Sequence, residues 1–427
     1  MSLDIRREDF AAFFEAPFAC YGRDAYVASP LKRDLKRSLD PRQNPLFRDF
    51  ARRTWFTAHR NGRVVGRILA HIHDASNLKY GQKRGYFGML DCVDEADVGR
   101  TLLDEAGRWL RDAGCDEIAG GFNLTITQMI GIVTDGFEHR PYIYQDWSPP
   151  HVATLLESAG FERYYPMRTF EIDVRNLDPD VLLGKTSRAL LQDPEWRFVP
   201  IGRRGLTAKL KEACVVLNDG FAENAMFVPL TEDEFLFPCE GMTAIIDERL
   251  SWIAYHRGEP AGVYLCIPDL TPFFHATGYR FRMTTPGTSG SSSGTRSRAA
   301  VIFYSVRHAY HGRGVNSVLL HHSLQAMRER GYTHLGVSWI SDTNAASLRQ
   351  MEKLAGAAVA SIAPLPEGAR VILDTGRLDA RGRGGCASAE PAQRSAVALA
   401  ASRQPGRALR RSGCAGFPRA MRRGGTT

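Results

Sequence analysis

The chain has 427 residues, 44% hydrophobic and 24% charged, with a formal net charge of +8. That is apolar content enough for two cores of ordinary size, and it excludes a chain disordered throughout. No apolar run reaches the length of a membrane-crossing helix and no leader-like segment is read at the start; scattered cysteines without a Cys-x-x-Cys pair argue against structural zinc and fit a reducing cytoplasm.

In chain order, the first clear element is a hairpin at residues 55–66 with Asn61-Gly62 at its turn. Residues 87–92 then read as a buried strand. Val98, Leu102, Ala106, Trp109, Leu110 and Ala113 follow at helical spacing. Between strand and helix, residues 93–98 are acidic and lack glycine, so this helix start would repel a phosphate. Gly120-Gly121-Phe122-Asn123 and Asp135-Gly136-Phe137 carry turn chemistry. The aromatic run Pro141-Tyr142-Ile143-Tyr144-Gln145-Asp146-Trp147 reads as a long loop packed down, or as the lining of a pocket for a hydrophobic chain. The packing reading is the commoner one. Residues 176–200 read as a linker with a short helix around 181–191.

The second half repeats the first. Residues 252–262 form the same hairpin, one residue shorter. Trp55 and Trp252 are 197 residues apart, and Gly160 and Gly356 are 196 apart, which predicts two copies of one unit. Residues 284–295, rich in Gly, Ser and Thr, read as a mobile loop between strands. A buried strand follows at residues 300–306, and His311-Gly312-Arg313-Gly314-Val315-Asn316 makes a tight turn. Val315, Val318, Leu319, His322, Ala326 and Met327 then give one helix face, ended by Gly331. A glycine-rich turn feeding a helix leaves N–H groups pointing outward, where a phosphate can accept them. The bland alternative is a tight connection. A strand at residues 334–340, a turn containing Asn344 and a short helix to Gly356 complete an α/β chain with mixed sheets.

This order of elements resembles the acyl-CoA-binding half of the GNAT acyltransferase superfamily. The resemblance puts His311 at the Arg/Gln position of the pyrophosphate loop, Gly314 at its first required glycine and Asn316 at its last small residue. It implies that Val306, His311, Gly312, Arg313, Gly314, Val315 and Asn316 bind coenzyme A and that Asn344 lies beside the acyl group. The tyrosine that often serves as general acid in the family is Met351 here. Near the implied pantetheine gap, the candidate catalytic residues are Asp269, Tyr304 and His308. Asp269 also reads as a turn former, His308 as a surface residue and Tyr304 as a half-buried strand residue. The first copy is expected to supply acceptor-binding residues, Asp91, Asn123 and Tyr144.

Residues 1 to about 375 are similar to a bacterial group of tandem-GNAT proteins that includes ceramide synthases. Besides the phosphate loop, residues 87–92, 135–137 and 227–235 carry that likeness. It implies two tandem GNAT-like domains: a degenerate one at 1–175, a linker at 176–200, and an acyl-CoA-binding one at 201–375. The expected activity is N-acyl transfer from acyl-CoA or acetyl-CoA to a small-molecule or lipid amine, including a sphingoid-type amine, without a metal. It leaves open an acyl carrier protein as donor, peripheral contact with a membrane, and a non-catalytic acyl-CoA-binding role.

Residues 376–427 hold eleven Arg against the acids Asp379 and Glu390, so the rest of the chain is close to neutral. This Arg/Gly/Ala-rich tail has too few large apolar residues for a core and reads as a disordered extension. A nucleic-acid-binding arm is the other reading, and no nucleic-acid partner is expected.

Overall fold

Residues 2–377 are described in this computed structural model, apart from 23–24, 28, 49–51, 125–128, 164, 225–226, 242–244, 281–296, 358–369 and 373. The predicted loop at 284–295 and the tail beyond Arg377 lie outside the described residues.

Both predicted hairpins form. In the first half β1 (Asp4–Arg7), β2 (Arg52–Arg60), β3 (Arg63–Ile72), β4 (Arg84–Cys92) and β5 (Glu117–Gly120) lie side by side. The strands that follow are β6 (Ile132–Val133), β7 (Glu162–Arg163) and β8 (Met167–Asp173). The second half runs β9 (Trp196–Pro200), β10 (Trp252–His256), β11 (Glu259–Pro268), β12 (Arg298–Val306), β13 (His334–Ser341), β14 (Arg370–Ile372) and β15 (Asp374–Arg377). The turns Asn61-Gly62 and Arg257-Gly258 both take positive φ at both residues, the geometry that matches strand twist. Each hairpin is also interrupted at the same place, between Ala58 and His59 and between Ala254 and Tyr255. Shared irregularity is stronger support for duplication than shared strands.

The halves exchange strands. One sheet runs β1-β2-β3-β4-β5-β15-β7 and the other β6-β14-β8-β13-β12-β11-β10-β9. Thus β8 leaves the first half to pair antiparallel with β13, from Asp173 opposite His334 to Met167 opposite Ser341. In return β15 pairs with β5, from Asp374 opposite Gly120 to Arg377 opposite Glu117. Three of the expected boundaries shift accordingly. Residues 167–173, expected in the first domain, belong to the second sheet. Residues 196–200, expected in the linker, are its edge strand, and Gly376 and Arg377, expected in the tail, are in a ladder. Periodicity identifies a strand but not the sheet it joins, which is why the sequence placed these segments by proximity.

The helices are α1 (Phe10–Tyr21), α2 (Lys32–Ser38), α3 (Asp74–Tyr80), α4 (Ala96–Asp112), α5 (Pro150–Ser158), α6 (Lys185–Gln192), α7 (Leu206–Gly220), α8 (Glu232–Cys239), α9 (Thr271–Ala276), α10 (Val315–Glu329) and α11 (Ala345–Ala357). α1 lies on β3, and α7 lies on β11 and β12. Phe13, Phe14, Trp55 and Leu69 from one half share a single cluster with Leu210, Val216, Leu217 and Val263 from the other. Each fully buried phenylalanine there contributes about 1.5–3 kcal/mol, so separating the halves would expose a common core. α4 covers the first sheet's other face through Val98, Leu102, Ala106 and Leu110, and α10 does the same for the second through Val315, Val318, Leu319 and Met327. His322, expected on that buried face, instead stacks on Trp252 at 4.6 Å. Its neighbour His321 is the buried one, bonded to Asp180 at 2.9 Å.

One feature of the sheets positions the site. β12 and β13 are parallel neighbours only from Arg298 opposite His334 to Ala300 opposite Gly336, and then part. β4 and β5 likewise stop pairing after Phe87 opposite Gly120. Each half therefore has a gap between its central parallel strands.

Candidate active site

The predicted phosphate loop caps α10. Gly314 is its N-cap residue with φ +84°, a left-handed conformation that side chains disfavour. A Cβ at this position would also meet Ser187 Oγ at 2.6 Å. Among the described residues, the backbone N–H groups of Gly314, Val315, Asn316 and Ser317 have no hydrogen-bond acceptor. Four outward donors at the positive end of a helix dipole make a cradle that fits a pyrophosphate. His311 fixes the loop from behind by donating from Nε2 to the Val306 carbonyl at 2.8 Å. Asn344 does not face this loop through a hydrogen bond; its Oδ1 accepts from Ser347 N–H at 3.1 Å and caps α11.

The three candidate catalytic residues do not converge. Asp269 is 1% exposed and accepts from the backbone N–H groups of Ile143 and Thr271, each at 3.1 Å. That ties the loop after β6 to the start of α9, as the turn-former reading implied. His308 lies on the surface with Nδ1 3.3 Å from Asp219 Oδ1. Tyr304 donates to the Asn316 carbonyl at 2.5 Å and accepts from Gln350 Nε2 at 3.1 Å. Burial pushes the Tyr304 hydroxyl well above the ordinary tyrosine range, so it stays protonated at neutral pH.

An apolar cavity of about 210 Å³ opens onto the parted end of β12 and β13. Ile302, Phe303, Ser338 and Trp339 form this wall, Leu31 and Leu35 near α2 another, and Phe274 and Tyr279 a third. The aromatic run at 141–147 both packs and lines. Gly336 leaves the space in which the Tyr142 ring lies, since a Cβ there would come within 2.6 Å of it. Arg298 covers the other side of that ring at 3.7 Å. Gln145 Nε2 donates to Ser338 Oγ, while Tyr144 is an exposed residue on the cavity wall. Residues 142–145 of this run all border the cavity, and Tyr142 and Gln145 are at the same time packed or bonded against the second sheet.

The gap in the first half holds a small polar pocket lined by Arg67, Asp91, Asn123, Asp146 and Ser148. Arg67 Nε donates to Asp91 at 2.7 Å, and its Nη1 donates to the Phe13 carbonyl at 2.9 Å. Asn123 Oδ1 accepts from Met89 N–H at 2.7 Å, which turns its amide nitrogen to Asp146 at 2.8 and 3.1 Å. Burial, and then the Asp91 charge, pushes the Asp146 carboxyl up to about 7. Of the predicted acceptor residues, Asp91 and Asn123 thus meet here, and Asn123 also borders the larger cavity with Tyr144. Sequence reasoning missed Asp146, although a lone carboxylate inside an aromatic run was the available signal.

No group of His, Cys, Asp and Glu able to hold a metal is present among the described residues, and no helix there is long and apolar enough to cross a membrane. Parted parallel strands with an open helix start beside them are the arrangement expected of the GNAT fold. Residues 222–357 match the model of the acetyltransferase (GNAT) family. The chain is 26% identical over 356 residues to a bacterial ceramide synthase of Caulobacter vibrioides, covering 81% of this chain and 91% of that one. It is 25% identical over 357 residues to Protein YghO of Escherichia coli, covering 82% and 90%. Its fold is similar to a tandem GNAT protein from the clavulanic acid biosynthesis pathway, with a TM-score of 0.53 at 14% identity, covering 88% of this chain and 99% of that one. The GNAT match over residues 222–357 and these likenesses together support an N-acyltransferase built as a tandem GNAT protein.

Proposed function

We propose that this protein moves a long acyl chain from acyl-CoA to the primary amine of a lipid-like acceptor of the sphingoid type. The observation that carries this reading is the apolar cavity of about 210 Å³ on the parted β12–β13 pair, which exceeds what an acetyl group needs. The name of the Caulobacter relative, a ceramide synthase, supports the same acceptor class. In this reading the free amides of residues 314–317 hold the pyrophosphate, and the pantetheine arm follows the gap toward Ser338. The amine lone pair attacks the thioester carbonyl, the C–S bond breaks, the nitrogen gives up the proton that amide formation releases, and the leaving thiolate takes one, so that amide and free thiol form. Tyr304, next to the loop and with its proton held, is the donor we assign to that last step, in place of the tyrosine that Met351 replaces. Removing a general acid costs about 10²–10⁴-fold in rate.

The test is acyl transfer by the full chain from palmitoyl-CoA and from acetyl-CoA to sphinganine, read by mass spectrometry. N-palmitoyl product formed far faster than N-acetyl product is expected. Equal use of acetyl-CoA, or transfer to short polyamines only, would refute the long-chain reading. Tyr304→Phe should lower kcat about a hundredfold and leave coenzyme A affinity unchanged.

A further inference from the structure

The first half has no phosphate cradle, yet it keeps the gap between its central strands. The pocket in that gap combines apolar walls, among them Met89, Met129 and Ile132, with a connected set of polar side chains. Their charges do not cancel. Arg67 is neutralised by Asp91 at 2.7 Å and pinned by the Phe13 carbonyl. Asp146 is hydrogen-bonded only to the neutral amide of Asn123 among the described residues, and the single Arg67 charge acts on both carboxylates. Ser148 is 5% exposed, lines the same pocket, and its hydroxyl has no partner among the described residues. A buried hydroxyl left unpaired costs free energy unless a ligand satisfies it. The pocket also continues into the apolar cavity, because Pro30, Met89, Asn123 and Met129 border both.

A ligand matching these features has a compact cationic head with several N–H donors and an apolar chain. We infer that the pocket formed by Asp146, Ser148, Asn123 and the Arg67–Asp91 pair receives the ammonium head of a long-chain primary amine, whose chain leaves past Pro30, Met89 and Met129. This rests on the amine-acceptor reading above and names where that acceptor is recognised. The ammonium donates one N–H to the Asp146 carboxylate and one to Ser148 Oγ. Asp146 then takes one proton from it, leaving R–NH₂ with a free lone pair and a neutral carboxylic acid. A carboxyl pushed up to about 7 is matched to that exchange near neutral pH. Asp91 cannot serve in the same way, since Arg67 already holds it.

The experiment is calorimetric binding of dodecylamine and of dodecanol to the full chain, wild type and Asp146→Asn, without acyl-CoA. Wild type should bind the amine about tenfold or more tightly than the alcohol, the scale of one charged hydrogen bond. Asp146→Asn, which keeps an oxygen for the Asn123 amide, should lose about ten- to a hundredfold for the amine and nothing for the alcohol. Ser148→Ala should lose a smaller factor in the same direction. Unchanged coenzyme A affinity reports that each variant is folded. Equal binding of amine and alcohol by wild type would overturn the proposal, and so would a folded Asp146→Asn with undiminished amine affinity. Should Asp146→Asn not fold, the wild-type ratio and Ser148→Ala decide. Amine binding that depends on Asp146, with no acyl transfer to any amine, would keep the subsite and refute the acyltransferase acceptor reading. Wild-type transfer kinetics toward sphinganine in Asp146→Asn would do the reverse.

Discussion

The starts of α4 and α10 stand at equivalent points of the two halves, each just after the central strand. At α10 the amides of residues 314–317 are free. At α4 the opening is closed by charge: Arg60, from the end of β2, pairs with Glu95 and with Asp97. The same helix dipole thus faces an empty cradle in one half and the protein's own carboxylates in the other. The strand gap survives in both, but with different linings. A duplicated scaffold can keep its backbone while its loops diverge, one helix start left open and the other carrying carboxylates.

That division can be broken or sharpened by four changes. The largest effect concerns the strands the halves exchange. A chain ending at residue 373 lacks β15 and leaves β5 without its neighbour. It should lose cooperative thermal unfolding, whereas a chain ending at residue 380 should melt like the full one; identical melting of both would show that β15 contributes nothing.

Next come the two arginine–carboxylate pairs. Arg67→Met leaves Asp91 buried and unpaired, at a cost of about 3–5 kcal/mol in urea unfolding. Arg60→Met, whose partners are solvent-exposed, should cost about 0–1 kcal/mol. A similar cost at both sites would mean that the polar pocket is not an enclosed one.

Asp146 gives a pH signature. Its carboxyl is raised in the folded chain from 3.8 to about 7, so the folded state binds the extra proton between those values. Stability from this group is complete below the unfolded pKa and is lost as pH climbs toward 7, at no more than about 1.4 kcal/mol per pH unit. Asp146→Asn should remove that slope and be more stable than wild type at pH 8. A denaturation series from pH 4 to pH 8 with parallel curves would count against the buried carboxyl.

The smallest effect is on binding. Gly314→Val forces a β-branched residue to φ +84° and toward Ser187, and should weaken coenzyme A about ten- to a hundredfold. Asp94→Val, at the corresponding place in the first half, should not change it. Equal losses would reverse the roles given to the two halves.

Much of this was legible beforehand. Asn61-Gly62, the helical spacing from Val98 to Leu110, and the glycine turn before Val315 are local signals, and each produced the element expected. The boundaries at 175, 200 and 375 were not legible, because pairing partners are a long-range property. The open start of α10 was readable since amides at a helix start need no distant partner. Of the polar pocket, Asp91 and Asn123 were anticipated while Arg67 and Asp146 were not: the four come from β3, β4 and two separate loops. Nothing in their spacing announces that they meet. Asp269 shows the converse, a carboxylate with a catalytic look whose geometry is that of an anchor.

The exchange of β8 and β15 also sets an order of events at the ribosome. The strand that completes the first sheet is made roughly 250 residues after the β5 edge it must join. At ordinary translation rates of about 5–20 residues per second, that edge waits on the order of ten to fifty seconds. During this time an unpaired strand edge is open to wrong neighbours. Yield in cells should therefore respond to elongation speed and chaperone supply more than the stability of the finished protein would lead one to expect.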